Sequence, residues 1–284
     1  MKFYKDETIT LLHGDALEQA RALPDDSIDC IVTSPPYYRL RDYGSEGQYG
    51  SEQSISEYID TMRGVFRELR RVLSKTGTLW LNLGDNYANK QLSGTPWRTA
   101  IALQADGWKL KNDVVWNKTN AMPSSVTNRL TNRHEHVFLL TKSDTYYFDL
   151  DSIREPYSPS HIERSQYKQA ASGPSRAGGS NTADRAAGLP LNPKGKNPGD
   201  VWNIGTKGFK GAHFAVFPPA LAERCISAGC KPGGTVLDPF SGTGTTGMVA
   251  REMGRKYIGI DISADYLKLS LDTRLQTEPT TRPR

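Results

Sequence analysis

A chain of 284 residues, 37% hydrophobic and 24% charged, can build one large domain or a domain with a sizeable insertion, and it holds enough apolar side chains for a real core. No run approaches the roughly 18 consecutive apolar residues of a membrane helix, and the opening MKFYKDETITLL lacks a signal peptide's apolar stretch, so no membrane association and a cytoplasmic location are expected. The net charge of +5 suits a polyanionic partner without demanding one, and Cys30, Cys225 and Cys230, with no C-x-x-C spacing, indicate buried reduced thiols rather than a disulfide framework or zinc site.

In chain order, TITLL reads as a strand, ALEQARAL as a helix and SIDCIVTS as a buried strand. From Ser56 to Leu73, the residues Tyr58, Met62, Val65, Phe66, Leu69, Val72 and Leu73 recur at spacings of three and four with arginines between them. That is the pattern of a helix packed on a sheet. GTLWLNLG, VVWNK and HVFLLTKS read as strands, and PWRTAIALQADG as a helix. From about Tyr157 to Gly199 the chain turns rich in Gly, Pro, Ser and Ala, too poor in apolar area to hold itself rigid, and a long mobile insertion is expected. Its basic residues Arg164, Lys168, Arg176, Arg185, Lys194 and Lys196 outnumber its acids, and Trp202 and Phe209 follow. A solvated linker and a nucleic-acid-contacting segment both fit. Order resumes with the helix FAVFPPALAERCISAGC and then a strand, glycine loop, helix and strand in GGTVLDPFSGTGTTGMVAREMGRKYIGIDIS; the tail TEPTTRPR should fray. Short β-rich runs alternating with helical patterns predict an α/β fold with a mostly parallel sheet flanked by helices.

Two stretches carry chemistry. GTGTTG, from Gly242 to Gly247, matches G-x-G-x-x-G between a strand and a helix, and Asp261 ends the next strand, where a carboxylate can bind ribose hydroxyls. A nucleoside-bearing cofactor follows, and the pattern alone fits a nicotinamide dinucleotide or S-adenosylmethionine. Asp238 at the strand tip favours a ligand with a cationic end and repels a pyrophosphate. In TSPPYY, two prolines stiffen the chain just after a buried strand. The Ser34 hydroxyl and Pro35 carbonyl can then accept hydrogen bonds from an exocyclic amine, and Tyr37 offers a ring face for stacking. Accepting both amine protons aims the nitrogen lone pair at an electrophilic methyl.

With both motifs in one chain, the sequence resembles the DNA amino-methyltransferases. TSPPY looks like their catalytic motif and DPFSGTG like their cofactor motif, in the order of the circularly permuted β group; HGDAL, GTLWLNLGD, DVVWNK, NRLTNRHEHVFLLTKS and HFAVFPPAL agree. The resemblance covers the chain except roughly 157–200. It implies a Rossmann-like S-adenosylmethionine-dependent methyltransferase fold with 1–150 and 211–275 as its catalytic and cofactor-binding halves, 151–210 as a partly mobile target-recognition insertion, and 276–284 as a frayed tail.

Carried over by position, Ser34, Pro35, Pro36 and Tyr37 would hold a base flipped from double-stranded DNA. Asp238, Pro239, Phe240, Gly242, Thr243, Gly244 and Thr245 would wrap the cofactor, Asp261 its ribose and Asp15 its adenine, with His213, Phe217 and Pro218 closing over its methionine end. Within that family the serine form of the motif goes mainly with cytosine N4 and the aspartate form mainly with adenine N6, so N4 methylation is expected, with N6 as the alternative. C5 methylation needs a thiolate after the proline pair, and Cys30 sits in the preceding strand. A homodimer and a cognate restriction endonuclease on a separate chain are further expectations. Amine methylation of RNA or of a protein glutamine, a dehydrogenase, and a non-catalytic module that keeps the cofactor pocket and holds DNA by the basic insertion are the competing readings.

Several other polar and aromatic residues have packing or surface roles as their plainer reading. His134 and His136 share one side of a strand, but with no third ligand a structural or DNA-side role outweighs a metal. Arg129 and Arg133 suit phosphate or solvent equally, Asp85 ends a strand facing the same crevice, and Trp80, Trp97, Trp108 and Trp116 are expected to pack in the core.

Overall fold

The structure, a computed structural model, describes residues 1–40, 47–170, 191–207 and 217–276, with the backbone alone for 166–170. Strands β1 (Lys2–Lys5) and β2 (Ile9–His13) lead to helix α1 (Ala16–Arg21) and β3 (Ile28–Thr33). Helix α2 (Ile55–Val72) runs straight into β4 (Leu73–Leu83), and a short hairpin, β5 (Tyr87–Ala88) and β6 (Gln91–Leu92), precedes α3 (Thr95–Ala105). There follow β7 (Lys109–Asn117), β8 (His134–Thr141), α4 (Pro159–Ala170), β9 (Val201–Asn203) and α5 (Pro219–Gly229). The chain closes with β10 (Thr235–Asp238), α6 (Thr245–Glu252), β11 (Lys256–Asp261) and α7 (Ala264–Ser270).

One sheet runs in the order β1-β2-β11-β10-β3-β4-β8-β7-β9. The pairs from β2 through β11, β10 and β3 to β4 are parallel, as is β7 with β9, whereas β1/β2, β4/β8 and β8/β7 are antiparallel. The chain winds outward from β3 to β4 in one direction and from β10 to β11 in the other. Between β3 and β10 lies the switch point at which open α/β sheets bind ligands, beyond the carboxyl ends of their strands.

Local chemistry explains the long helix. Ser54 caps α2 by accepting from Glu57 N at 3.2 Å, and Glu57 reaches back to Gln53 N at 3.0 Å. The first contact satisfies an amide that the helix start leaves open, and the second ties the residue before the cap to the first turn. Tyr58, Met62, Val65, Phe66, Leu69 and Val72 are buried, in keeping with the expected stripe. Burial of each such side chain stabilises by about 1.5–3 kcal/mol before entropy is counted. Leu73 belongs to β4, because its backbone is already extended at φ −65, ψ 134.

Several expectations need correction. β1, the β5/β6 hairpin and β9 were not legible, being short and pinned by pairing with neighbours. Met1–Phe148 with Asp200–Arg284 forms one compact unit and Asp149–Gly199 a second. Inside the second, the stretch expected to lack structure holds α4, with Pro159 at its first position. Glu155 and Lys196 exchange backbone hydrogen bonds at 3.0 and 2.8 Å, and Asp151 accepts from Arg154 at 2.6 Å and Lys194 at 3.0 Å. Backbone pairing and ion pairs therefore organise a segment that apolar burial does not. Residues 171–190, with Arg176 and Arg185, as well as Phe209, His213 and the tail beyond Gln276, lie outside the described residues. Trp202 is a packing residue, 2% exposed with its ring 5.9 Å from Trp80, and not a free aromatic beside the insertion. Trp97, expected in the core, is 43% exposed and meets His136 and Phe138 edge-on.

Candidate active site

Parallel pairing of Cys30 with Val236 and of Ile31 with Leu237 brings the ends of β3 and β10 side by side. TSPPY and DPFSGTG thus leave the sheet together, and Thr33 Oγ1 donates to Asp238 Oδ1 at 2.7 Å across the junction. Ser34 and Pro36 line the same cleft as Phe217, Asp238, Pro239, Phe240, Gly242, Thr243, Thr245 and Asp261. Counted out to its open mouth, the cleft encloses about 990 Å³. Asp15, Pro35, Tyr37, Pro218 and Gly244 are not part of this lining.

The glycine loop turns through left-handed backbone at Gly242 (φ +50) and Gly244 (φ +75), conformations that glycine adopts without steric cost. Asp261 shapes the loop: it accepts from Gly242 N at 2.7 Å and from Ser263 N at 2.8 Å. Burial holds its carboxyl above the usual range, against those two amides. Thr243 Oγ1, on the cleft wall, is buried with no hydrogen-bond partner among the described residues. An orphaned hydroxyl of this kind fits a polar ligand.

Asp238 does not stand free at its strand tip as the sequence suggested. It is 2% exposed, and its oxygens accept from Thr33 and Thr246 hydroxyls at 2.7 Å each and from Phe240 N at 3.1 Å. Burial pushes its carboxyl up to about 6 despite these donors. Asp15 caps α1 by accepting from Glu18 N at 3.0 Å and takes the Tyr49 hydroxyl at 2.5 Å. Tyr49 lines the cleft, edge-on to Phe240 at 5.4 Å and 86°. Asp15 therefore acts on the cleft through Tyr49, a residue that belongs to no motif.

Behind Ser34 lies a polar cluster. Ser34 Oγ is 3.0 Å from the Tyr37 hydroxyl, which donates to Glu135 Oε2 at 2.6 Å. Asn82 Nδ2 donates to Glu135 Oε2 at 2.7 Å, to Tyr37 at 2.9 Å and to Ser34 at 3.3 Å. Lys118 pairs with the other oxygen of Glu135. Burial, and next the Glu135 charge, push the Tyr37 phenol well above its ordinary value, so it keeps its proton. Tyr37 lies outside the lining of this cleft and packs against Gly84, where an added Cβ would lie 2.6 Å from its Cε2.

Asn82 and Glu135 were missed, although each left a trace. Asn82 is a polar residue inside the apolar run LWLNL. Glu135 sits between two histidines on a strand, so alternation sends it to the opposite face. His136 itself bonds Asp113 at 2.9 Å and stacks on Phe138, and among the described residues no cluster of His, Cys, Asp and Glu could hold a metal. Asp85 accepts from Gly94 N at 2.9 Å and Thr95 N at 3.4 Å, which makes it a cap for the start of α3.

Residues 28–272 match the N6/N4 family described as DNA methylase. The Type II methyltransferase M.SmaI of Serratia marcescens is 40% identical, with 94% of this chain and 90% of that protein aligned. M.Cfr9I of Citrobacter freundii is 41% identical, with 95% and 89% aligned. Among solved structures, PvuII DNA methyltransferase, described as cytosine-N4-specific, matches with a TM-score of 0.72 at 20% identity over 99% of this chain and 90% of its own. M1.HpyAVI in complex with SAM matches at 0.59 and 20% identity over 95% and 100%. At such identities these structures establish the fold, the Rossmann-like α/β fold of S-adenosylmethionine-dependent methyltransferases. The paired motifs, the orphaned Thr243 hydroxyl and the aromatic-walled cleft fit that cofactor. The chain belongs to the N6/N4 DNA methylase family and is a DNA amino-methyltransferase that uses S-adenosylmethionine.

Proposed function

We propose that the protein methylates the N4 amine of a cytosine extruded from duplex DNA. The observation that carries this reading is Ser34, a neutral hydroxyl heading SPPY, on the wall of the cleft that Gly242 and Asp261 also line. When bound, S-adenosylmethionine would supply an electrophilic methyl whose bond to sulfur breaks as the amine nitrogen takes it, the displaced amine proton passing to solvent. Ser34 and the Pro35 carbonyl accept the amine's hydrogens and orient its lone pair, so positioning is the main catalytic contribution. Phe240, Gly242, Thr243 and Gly244 would hold the adenosine, Asp261 the ribose, Asp15 the adenine side through Tyr49, and Asp238, Phe217 and Pro218 the methionine end. A base inside the helix is out of reach, so it must be flipped first.

Residues 151–210 read the target in this proposal; the compactness of Asp149–Gly199 as a unit supports a module apart from the transfer chemistry. The names of the Type II relatives support a companion endonuclease on another chain. Neutral acceptors serve an adenine amine as well, which makes N6 the rival product. Digesting DNA methylated by the purified protein to nucleosides and weighing them decides the matter: N4-methylcytosine is expected, and N6-methyladenine alone would overturn the cytosine assignment.

A further inference from the structure

We propose that the segment between β7 and β8, residues 118–133, grips DNA: Leu130 enters the base stack at the place an extruded base leaves, while Arg129 and Arg133 hold flanking phosphates. The proposal rests on the DNA amino-methyltransferase reading and deepens it by naming the surface that opens the duplex.

The loop is rooted beside the base pocket. Lys118, at its start, pairs with Glu135, which accepts from the Tyr37 hydroxyl, and that hydroxyl is 3.0 Å from Ser34 Oγ. Lys118 N donates to Arg133 O at 3.0 Å and closes the neck of the loop. Leu130 stands five residues before Glu135, so even extended backbone keeps the two within about 18 Å. A second tie comes from the β5/β6 hairpin, which follows Gly84, the glycine packed against Tyr37. The Arg129 guanidinium lies 4.0 Å from the centre of the Tyr87 ring, and Asn132 Nδ2 donates to Asp85 O at 3.3 Å. A third joins Asn120 to the segment after β9, where it donates to Thr206 O at 2.9 Å and accepts from Thr206 N at 2.6 Å. Leu130 is therefore presented from a braced loop, next to an arginine that an aromatic face holds in one orientation.

The chemistry of this surface suits a polyanion. Residues 118–134 include no acid, and neither do residues 86–94. Arg129 and Arg133 are exposed, and Lys90 stands at the tip of the hairpin in left-handed backbone, φ +63, where glycine is favoured. Phosphates meet cations here and no carboxylate to repel them. Leu130, set among these cations, is 91% exposed and gains nothing from folding. Insertion between base steps would bury it, and apolar wedges hold such steps apart. Taking a base out of the duplex costs its stacking and its pairing, and a wedge in the vacated place offsets part of that cost.

The test follows methyl transfer to a duplex oligonucleotide carrying a site first mapped in plasmid DNA that the purified protein has methylated. The target base is either paired or set opposite an abasic position. Leu130→Ala should lower kcat/KM on the paired duplex roughly tenfold or more, as loss of a buried leucine contact does. On the unpaired target, where extrusion costs least, the loss should shrink to about threefold or less. Leu130→Met should keep most of the wild-type rate. Arg129→Gln combined with Arg133→Gln should lower the slope of log affinity for duplex DNA against log salt by about two, one for each phosphate. Tm, Kd for S-adenosylmethionine and molecular mass by light scattering should match wild type in every variant. No loss on the paired duplex, an equal loss on both duplexes, or an unchanged salt slope would overturn the proposal and leave the enzyme reading intact. A changed mass in Leu130→Ala would also overturn it, by assigning the side chain to a contact between copies. Wild-type protein that moves no methyl to DNA would overturn both.

Discussion

At the tip of β10, Asp238 accepts hydrogen bonds from two threonine hydroxyls and the Phe240 amide, yet burial still raises its carboxyl from 3.8 to about 6. The folded state thus holds this proton more tightly than the unfolded chain does. Its contribution to stability is complete below about pH 4 and is lost as pH rises through about 6, a swing on the order of 3 kcal/mol. Above pH 6 the fold carries an ionised, buried group whose desolvation its three donors offset only in part. Asp238→Asn should therefore flatten the dependence of Tm on pH between 4 and 7 and raise Tm at pH 7.5 in the absence of cofactor. The amide can be accommodated, since its nitrogen donates to Thr246, whose hydroxyl is 3.4 Å from Val32 O. If the proposed placement of the methionine end beside Asp238 holds, the same substitution should weaken S-adenosylmethionine binding at pH 7.5, where the wild-type carboxylate is ionised. Parallel pH–Tm curves for the two proteins would remove this account of Asp238.

Between β4 and the loop after β3, the closest tolerance is at Gly84. A methyl there would lie 2.6 Å from Tyr37 Cε2 and 3.3 Å from Glu135 Cδ, so the ring must shift and strain the Tyr37 bonds to Glu135 and Ser34. Gly84→Ala should slow single-turnover methyl transfer roughly a hundredfold, as an ångström of misplacement does, and leave cofactor affinity measured by calorimetry unchanged. An undiminished rate would mean that the Tyr37 position is unimportant to the chemistry. The two motifs were legible because their backbones demand particular residues: glycine where φ is positive at Gly242 and Gly244, and paired prolines where the chain leaves β3. The α2 stripe was legible because a period of 3.6 leaves a local trace. The adjacency of β3 and β10 leaves none, since it joins residues about two hundred positions apart, and it entered only through the resemblance between families. Glu135 was passed over because the flanking histidines suggested a metal; its place beside Tyr37 and Asn82 follows from which strand lies beside β4, a fact of pairing that no local pattern records. Helix α4 has few apolar residues, and composition hid it.

On the scale of the molecule, the cleft draws on both ends of the chain, with Ala16, Ser34 and Tyr49 from the first part and Asp238, Gly242, Asp261 and Tyr266 from the last. β11 pairs with β2 on one side and β10 on the other, so the cofactor loop and the N-terminal strands are held in one sheet. A ligand that bridges these segments binds only when both are folded. Such a ligand stabilises by about 2.7 kcal/mol at a hundredfold excess over its Kd. At about 2–4 °C per kcal/mol for a domain of this size, S-adenosylmethionine should raise Tm by roughly 5–10 °C. Asp261→Asn should lose most of that shift, because an amide nitrogen in place of one oxygen meets the N–H of Gly242 or Ser263 and opens the loop. A nicotinamide dinucleotide at the same concentration should leave Tm in place, since its pyrophosphate would face the buried Asp238 carboxylate. Equal shifts from both ligands would mean that the glycine loop recognises an adenosine and nothing more, and that the charge at the strand tip plays no part in choosing the cofactor.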